Sequence, residues 1–185
     1  MREPDEDDWG KVKRVLKYLK TTRTMPLCLE IQQLQKPLWD VDAAHAVHMD
    51  CKGQTGAGMT LGRGAVMLLS RKQKVNTCSS TETELVGVDD AIGSVLWSLY
   101  FMQAQGLDMK CARIYQDNNS AILLEANGHQ SSTKRTKHIK TKYFFVKDKI
   151  DQGEIEVQKR DTAETCGATP TPSQSRVVDF ERIGP

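Results

Sequence analysis

One acidic residue, Glu84, lies on the apolar side of the longest helix-periodic stretch in the sequence. The apolar residues that follow it at steps of three and four are Val88, Ile92, Val95 and Leu99. This spacing places side chains on one face of a helix, so Glu84 is expected to point toward the protein core. A carboxylate there is unfavourable unless a partner compensates its charge, and a metal ion held by several acids is such a partner. Glu84 therefore predicts other acids nearby in the fold.

Two aspartates are candidates for that role. Asp42 falls within a predicted strand, and Asp117 follows another strand and precedes Asn118. Taken singly, an aspartate followed by asparagine is more typical of a turn, but strand ends and a crossover helix can bring acids together at one sheet edge. Three carboxylates suit Mg²⁺, a hard cation that prefers oxygen ligands. With the basic segment downstream, they indicate chemistry on phosphodiesters. The alternative is an unrelated α/β domain with incidental acids, which requires the three carboxylates to lie far apart.

The predicted elements place these acids in a mixed α/β fold. In chain order they are strands at residues 38–46, 59–61 and 65–69, a helix at 80–105, a strand at 112–115, a helix at 120–126, a helix in the second half of 129–149, and a strand at 154–158. Gly62 and Gly64 indicate a hairpin between the second and third strands. The order strand, long helix, strand is typical of a parallel crossover. We therefore expect a mixed sheet in which three antiparallel strands precede parallel strands, with helices packed on it.

The N-terminal region is predicted to be a helix followed by a linker. Asp7 or Asp8 is the expected N-cap, and the helix ends near Thr22. Its apolar side either packs on a neighbouring element or leaves its basic face to contact nucleic acid. Residues 25–31 are predicted as a short strand. The expected organisation is a connecting segment at 1–36, a domain at 37–160, and a divergent, disordered tail at 161–185.

Composition limits the class of protein. A net charge of +2 over 185 residues is far from that of a histone-like polycation, so a nucleic-acid surface must come from local clustering. The five cysteines are scattered without a CxxC pair, which favours a reducing compartment over a disulfide framework. The sequence shows neither a signal peptide nor an apolar run of about 20 residues, so we expect no membrane partner and no secretion.

The basic clustering lies in residues 129–149. Its basic side chains are Lys134, Arg135, Lys137, His138, Lys140, Lys142, Lys147 and Lys149. Such a run is usually a solvated face, but the acidic candidates elsewhere favour contact with a nucleic-acid backbone. For His138, a polar cap at the start of a helix is the alternative to a nucleic-acid contact.

Four other residues receive structural interpretations. His45 and His48 are three positions apart, which on a strand places them on opposite sides, so we assign them surface or packing roles rather than metal binding. Trp39 and Trp97 are expected in the core. Trp97 neighbours Leu96 and Leu99 in the long helix, which argues against stacking on a base.

Four motifs together resemble one known family. They are Val-Asp-Ala at 41–43, Ser-Ser-Thr-Glu-Thr-Glu-Leu at 79–85, Ile-Tyr-Gln-Asp-Asn-Asn-Ser-Ala at 114–121 and Arg-Thr-Lys-His-Ile at 135–139. In order and spacing they are similar to the ribonuclease H domain of copia-type (Pseudoviridae) retrotransposon Pol polyproteins. The first helix resembles the segment that joins reverse transcriptase to that domain, so the chain is expected to be a polyprotein fragment or remnant.

The resemblance implies a ribonuclease H-like fold and hydrolysis of the RNA strand of RNA–DNA hybrids, leaving 5′-phosphate and 3′-hydroxyl ends. By motif, Asp42, Glu84 and Asp117 are the implied catalytic and metal-binding residues, with two Mg²⁺ (or Mn²⁺) ions as cofactor. Phosphate or supporting contacts are implied for Ser79, Ser80, Asn118, Lys134, Arg135, Lys137 and His138. The implied partners are the hybrid and the reverse transcriptase portion of the same polyprotein. The implied location is the cytoplasm, in a virus-like particle, or the nucleus.

The sequence departs from this family after the last strand. The family pattern has a fourth acid in an Ala-Asp pair followed by a Thr-Lys-Pro element, whereas this chain has Cys-Gly-Ala-Thr-Pro-Thr-Pro at 166–172. The acid position falls at or near Ala168, so the second metal loses a ligand. We therefore expect weakened or absent cleavage, and a catalytically inactive nucleic-acid-binding remnant is the alternative function. The change of character indicates a frameshift, decay of the element, or a wrongly assigned exon.

Overall fold

A five-stranded mixed sheet forms the centre of the protein. The computed structural model describes residues 4–32, 35–127 and 137–160. Its helices are α1 (Glu6–Thr22), α2 (Ser80–Ala104), α3 (Asn119–Asn127) and α4 (Lys137–Asp151). Its strands are β1 (Glu30–Ile31), β2 (Leu38–Ala44), β3 (Gln54–Thr60), β4 (Gly62–Arg63), β5 (Ala65–Lys72), β6 (Ala112–Gln116) and β7 (Ile155–Lys159). From β2 onward, the predicted order of elements is confirmed, with the short β4 as an addition.

The sheet order is β5-β3-β2-β6-β7. β2, β3 and β5 pair antiparallel, while β6 pairs parallel with β2 and β7 pairs parallel with β6. The predicted arrangement of antiparallel followed by parallel strands is therefore confirmed. Gly62 and Gly64 at the turn between β3 and β5 have φ of +156° and +77°, values that disfavour a side chain. The same turn carries β4, which pairs with β1 to form a separate two-stranded ribbon.

The core lies between one face of the sheet and α2. The buried residues of β2 alternate along the strand, and Trp39 and Val41 meet Val88 and Val95 of the helix in one apolar cluster. The Trp39 indole Nε1 donates to Ser98 Oγ at 3.2 Å, which satisfies its polar atom inside the core. By length and composition alone α2 could cross a membrane, but its apolar character is accounted for by burial against the sheet.

Gly87 allows α2 to lie close to β2. A Cβ added there would lie 3.1 Å from Ala43 Cβ, whereas one added at Gly93 in the same helix has no neighbour within 4 Å. We expect Gly87→Ala to destabilise the protein by about 1–3 kcal/mol because the helix must move off the sheet. Gly93→Ala should instead stabilise it by about 0.5–1 kcal/mol through helix propensity. Urea unfolding of both variants checks this, and equal effects at the two positions would contradict the close approach.

The expected burial of Trp97 is wrong. Trp97 is 55% exposed and its ring stacks on Phe101, with centroids 5.2 Å apart. The buried stripe of α2 passes through Leu96 and Leu99, so position 97 is turned away from the sheet. A large aromatic side chain in a largely buried helix predicts a core position, but the angular position of Trp97 on α2 faces solvent.

The N-terminal region differs from its prediction in three ways. The N-cap of α1 is Asp5 rather than Asp7 or Asp8, because Asp5 and Asp8 form a reciprocal capping box in which each side chain accepts from the other's backbone N–H. No residue of α1 is buried, so among the described residues its apolar side has no packing partner of the kind expected. The predicted strand at 25–31 is reduced to the two residues of β1.

Candidate metal centre

The site forms where two parallel strands separate. β2 and β6 pair only from Leu38 with Arg113 to Asp40 with Tyr115. Asp42 and Asp117 each come two residues after the last pair, Asp42 on the exposed side of β2 and Asp117 just beyond the end of β6. Since strands that stop pairing leave a gap, side chains from the two strands and from the helix behind them can meet there.

Glu84 reaches this gap from the first turns of α2. It is only 6% exposed, and the backbone of Ala43 in β2 acts on its carboxylate in the direction that lowers the pKa. Burial, followed by the nearby charges of Asp42 and Asp117, raises the pKa of Glu84 to about 8. Its Oε2 atom has no hydrogen-bond partner. The helix stripe therefore presents a buried carboxylate oxygen that lacks compensation among the described residues, as the sequence pattern predicted.

The three acids converge. One carboxylate oxygen from each of Asp42, Glu84 and Asp117 lies within 4.8 Å of the other two. Three acids at this separation repel one another unless protons or a cation intervene, and oxygen-only ligand sets suit Mg²⁺ or Mn²⁺. The alternative of distant, incidental acids is therefore wrong.

A buried polar network fixes the beginning of α2. Thr83 Oγ1 lies 2.6 Å from Thr77 Oγ1 and 2.8 Å from His45 Nδ1, and the Thr83 carbonyl accepts from Gln73 Nε2 at 2.9 Å. Gln73 Nε2 also donates to Thr55 Oγ1 at 3.1 Å. Because Thr83 precedes Glu84, these bonds set the position from which Glu84 enters the gap. No sequence pattern indicates Gln73 or Thr55, since their bonds join residues 10 and 18 positions apart in the chain.

Glu125 is an acid that the sequence reasoning missed. It lies in α3, is 1% exposed, and within the described part of the chain both its carboxylate oxygens lack a hydrogen-bond partner. Burial, with a smaller contribution from the charge of Glu84, raises the pKa of Glu125 to about 8. The signal available in the sequence was an acid within a short apolar helix that starts next to Asp117.

Ser79, Ser80 and Asn118 flank the acids. Ser79 is the N-cap of α2 and accepts from the Glu82 backbone N–H at 3.2 Å, while Ser80 is exposed in the first turn. Asn118 Oδ1 accepts from the backbone N–H groups of Ser120 and Ala121 at 3.0 and 3.2 Å. Ser79 and Asn118 thus begin α2 and α3, and their contacts with a nucleic-acid backbone stay a prediction.

The basic segment is only partly within the described residues. Lys134 and Arg135 lie outside them, as does Ala168, while the helix α4 begins at Lys137 and includes His138. Further along α4, Lys147 pairs with Asp151, and Lys149 Nζ lies 3.2 Å from Glu154 Oε2. The last two lysines of the segment are therefore paired with acids that follow it, and nucleic-acid contact by the beginning of the segment stays a prediction.

Asp40 and the two histidines have other partners. Asp40 Oδ1 accepts from Arg160 at 2.8 Å, and the Arg160 guanidinium lies 4.5 Å from the Tyr115 ring centroid. His45 bonds to the threonines of the α2 network, and His48 Nε2 lies 2.9 Å from Gln54 Oε1. Their predicted packing roles agree with these contacts, and the cation site rests on Asp42, Glu84 and Asp117.

Sequence comparison finds relatives among retrotransposon Pol polyproteins. It is 31% identical over 165 residues, 89% of its length, to the retrovirus-related Pol polyprotein from transposon TNT 1-94 of Nicotiana tabacum. It is also 31% identical over 180 residues to the Pol polyprotein from transposon RE2 of Arabidopsis thaliana. Its homologues are copia-type retrotransposon Pol polyproteins, and the chain is consistent with one domain of such a polyprotein. It spans 12% of the length of each of these two relatives. No protein-family model matches the chain.

Structural comparison identifies the fold of the chain. Ribonuclease H1 LC11, isolated from compost by a metagenomic approach, superposes with a TM-score of 0.50 at 12% sequence identity. The match covers 72% of this chain and 90% of that one. Because identity is this low, the likeness establishes the fold and nothing more. The predicted ribonuclease H-like fold is confirmed.

The residues present fit a divalent cation. Glu84 Oε2 is a buried carboxylate oxygen without a partner, and it belongs to the group of three acids that could share an ion. A cation would supply the compensation that no described donor gives this atom.

Proposed function

We propose that this Pol segment is a ribonuclease H that hydrolyses the RNA strand of RNA–DNA hybrids with divalent cations. The observation that carries the proposal is the convergence of Asp42, Glu84 and Asp117 within 4.8 Å at the gap between β2 and β6. The chain's similarity to retrotransposon Pol polyproteins and its ribonuclease H-like fold support it.

Each acid has a distinct role in the proposal. Asp42 and Asp117 are exposed and present their carboxylates to the substrate side, while Glu84 closes the site from the core. The three would hold Mg²⁺ or Mn²⁺, two ions by family resemblance. When bound, such cations activate a water for attack and stabilise the charge developing on the phosphate. Since the pKa of Glu84 is about 8, loading the site requires this group to release its proton.

The surroundings of the site complete the proposal. The hybrid would be held through phosphates and 2′-hydroxyls, with Ser79, Ser80 and Asn118 beside the acids and the start of the basic segment as the positive surface.

Residues 37–160 would be the nuclease unit, residues 1–36 the connection to reverse transcriptase, and residues 161–185 a divergent tail. We place the protein inside the cell, in a cytoplasmic virus-like particle or the nucleus.

A second candidate function is a nucleic-acid-binding remnant without cleavage. The specific observation in its favour is the sequence at 166–172, which lacks the acid that the family pattern has there. If the second cation is not held, binding through the basic segment can persist while hydrolysis is lost.

Cleavage of an end-labelled RNA–DNA hybrid in Mg²⁺ and in Mn²⁺ tests the proposed function. We expect cleavage of the RNA strand that falls at least about a hundredfold in Asp117→Asn, because a metal ligand is lost. Asp108→Asn makes the same chemical change on an exposed residue beyond the far end of α2, and it should keep full activity. Hybrid binding without cleavage by the unmodified protein would establish the remnant instead.

A further inference from the structure

The carboxyl group of Glu125 is buried and has no hydrogen-bond donor among the described residues. It is 1% exposed, and no described residue forms a hydrogen bond with either of its oxygens. A buried polar group without a partner destabilises a folded protein, and an acid does so more than a neutral group. An apolar residue would suit this position in α3 better if it served packing alone. The presence of an acid at this position therefore indicates a function that offsets the loss of stability.

Other buried oxygens near Glu84 also lack a hydrogen-bond partner among the described residues. Of the six buried side-chain oxygens without a partner among the described residues, four belong to Glu84, Gln116 and Glu125. Gln116 Nε2 is directed to the Glu84 carbonyl at 3.4 Å, and Glu125 lies close enough to Glu84 for their charges to interact. Buried hydrogen-bond acceptors are thus clustered next to Glu84, and no described donor bonds to them. Such a cluster attracts positive charge.

We propose that Glu125 is a fourth carboxylate of the divalent-cation site, contributing its charge from behind Glu84. The inference rests on the proposed function. Glu125 lies outside the group whose oxygens approach within 4.8 Å, so it acts on the cations through the field at Glu84 rather than beside Asp42 and Asp117. It is therefore a positioning residue. Once ionised, it supplies from α3 a negative charge of the kind that the family pattern places after the last strand and that this chain lacks there.

Calorimetric titration of the whole chain with Mn²⁺, at a pH above the pKa of about 8 that burial gives Glu125, tests this role. Glu125→Gln keeps the shape of the side chain and removes the charge, so we expect Mn²⁺ to bind about tenfold more weakly, the size typical for residues that support metal ligands. Glu125→Leu removes the charge with an apolar side chain of similar size and should show the same loss. Melting without metal should show both variants at least as stable as the unmodified protein, because the buried unpartnered acid is gone. Glu125→Asp keeps the charge and should bind more tightly than Glu125→Gln.

The outcomes separate this inference from the proposed function. If the unmodified protein binds Mn²⁺, Asp117→Asn does not, and Glu125→Gln binds as tightly as the unmodified protein, the role of Glu125 is overturned and the three-acid site stands. Equal weakness of Glu125→Asp and Glu125→Gln also overturns it, since shape rather than charge would then matter. If the unmodified protein binds no Mn²⁺, the inference and the cation-dependent function fail together.

Discussion

Replacing Glu84 with glutamine is expected to change the stability of the protein in opposite directions with and without divalent cations. Without cations at pH 9, Glu84→Gln should unfold at higher urea than the unmodified protein. With saturating Mn²⁺ the order should reverse. The two effects have one cause, which is that Glu84 is a buried acid beside the charges of Asp42 and Asp117.

The first effect follows from the raised pKa of Glu84. The folded protein binds this proton up to about pH 8, whereas an ordinary glutamate releases it near 4.5. The stability contributed by the proton is therefore complete below about pH 4.5 and is lost as the pH rises to about 8. Ionisation of Glu84 in the folded protein then costs on the order of a few kcal/mol, and glutamine avoids it. The advantage of Glu84→Gln should shrink toward pH 5.

The second effect follows from ligand binding. A cation that binds the folded state alone stabilises it in proportion to the logarithm of its concentration over Kd. Loss of a carboxylate ligand should weaken Mn²⁺ by at least about a hundredfold, which removes most of this stabilisation. For the unmodified protein, affinity should rise by up to about tenfold per pH unit below pH 8, because one proton is displaced.

Urea unfolding at pH 5 and pH 9, with and without Mn²⁺, measures all of these changes. Glu125 also has a pKa of about 8, so the difference between the two proteins, rather than either curve alone, isolates Glu84. Glu82→Gln is a matched control two residues earlier, on a residue whose carboxylate accepts from the Cys78 backbone N–H. A Glu84→Gln variant that behaves as Glu82→Gln under every condition would refute the burial and metal role of Glu84.

Replacing Trp39 with alanine is expected to give the largest loss of stability from a single core change. Trp39 is fully buried in β2, where it meets α2. Truncation of a buried tryptophan removes its apolar contacts and leaves a cavity, typically at about 3–5 kcal/mol. It also leaves Ser98 Oγ without the indole donor that lies 3.2 Å away.

Comparison with Trp97→Ala makes the measurement specific. The same substitution in α2 removes a side chain that is 55% exposed, so it should change the free energy of unfolding by about 1 kcal/mol or less. Ser98→Ala should cost about 1 kcal/mol, the size of one buried hydrogen bond. Equal losses at Trp39 and Trp97 in urea unfolding would contradict the placement of the core.

The fold was accessible from the sequence where periodic patterns are long or turns are marked by glycine. The stripe through Val88, Ile92 and Leu99 defines α2, and Gly62 and Gly64 mark the turn between antiparallel strands. Prediction from the sequence was less accurate where the burial or the hydrogen bonds of a single residue determine the local structure. The apolar ring of Trp97 predicts a core position, but the buried stripe of α2 passes beside this residue. The N-cap of α1 is Asp5 because its side chain and that of Asp8 form reciprocal hydrogen bonds with each other's backbone N–H.

The sequence by itself determined the order of the elements and which three acids could act together, because periodicity and motif spacing are local properties of the chain. Only the tertiary structure decided that β2 and β6 separate after Asp40 and Tyr115, which opens the gap where the acids meet. It also decided that Glu125 is buried behind Glu84, and that Gln73 bonds to Thr83. These contacts join residues far apart in the chain, and their geometry depends on how α2, α3 and the sheet pack.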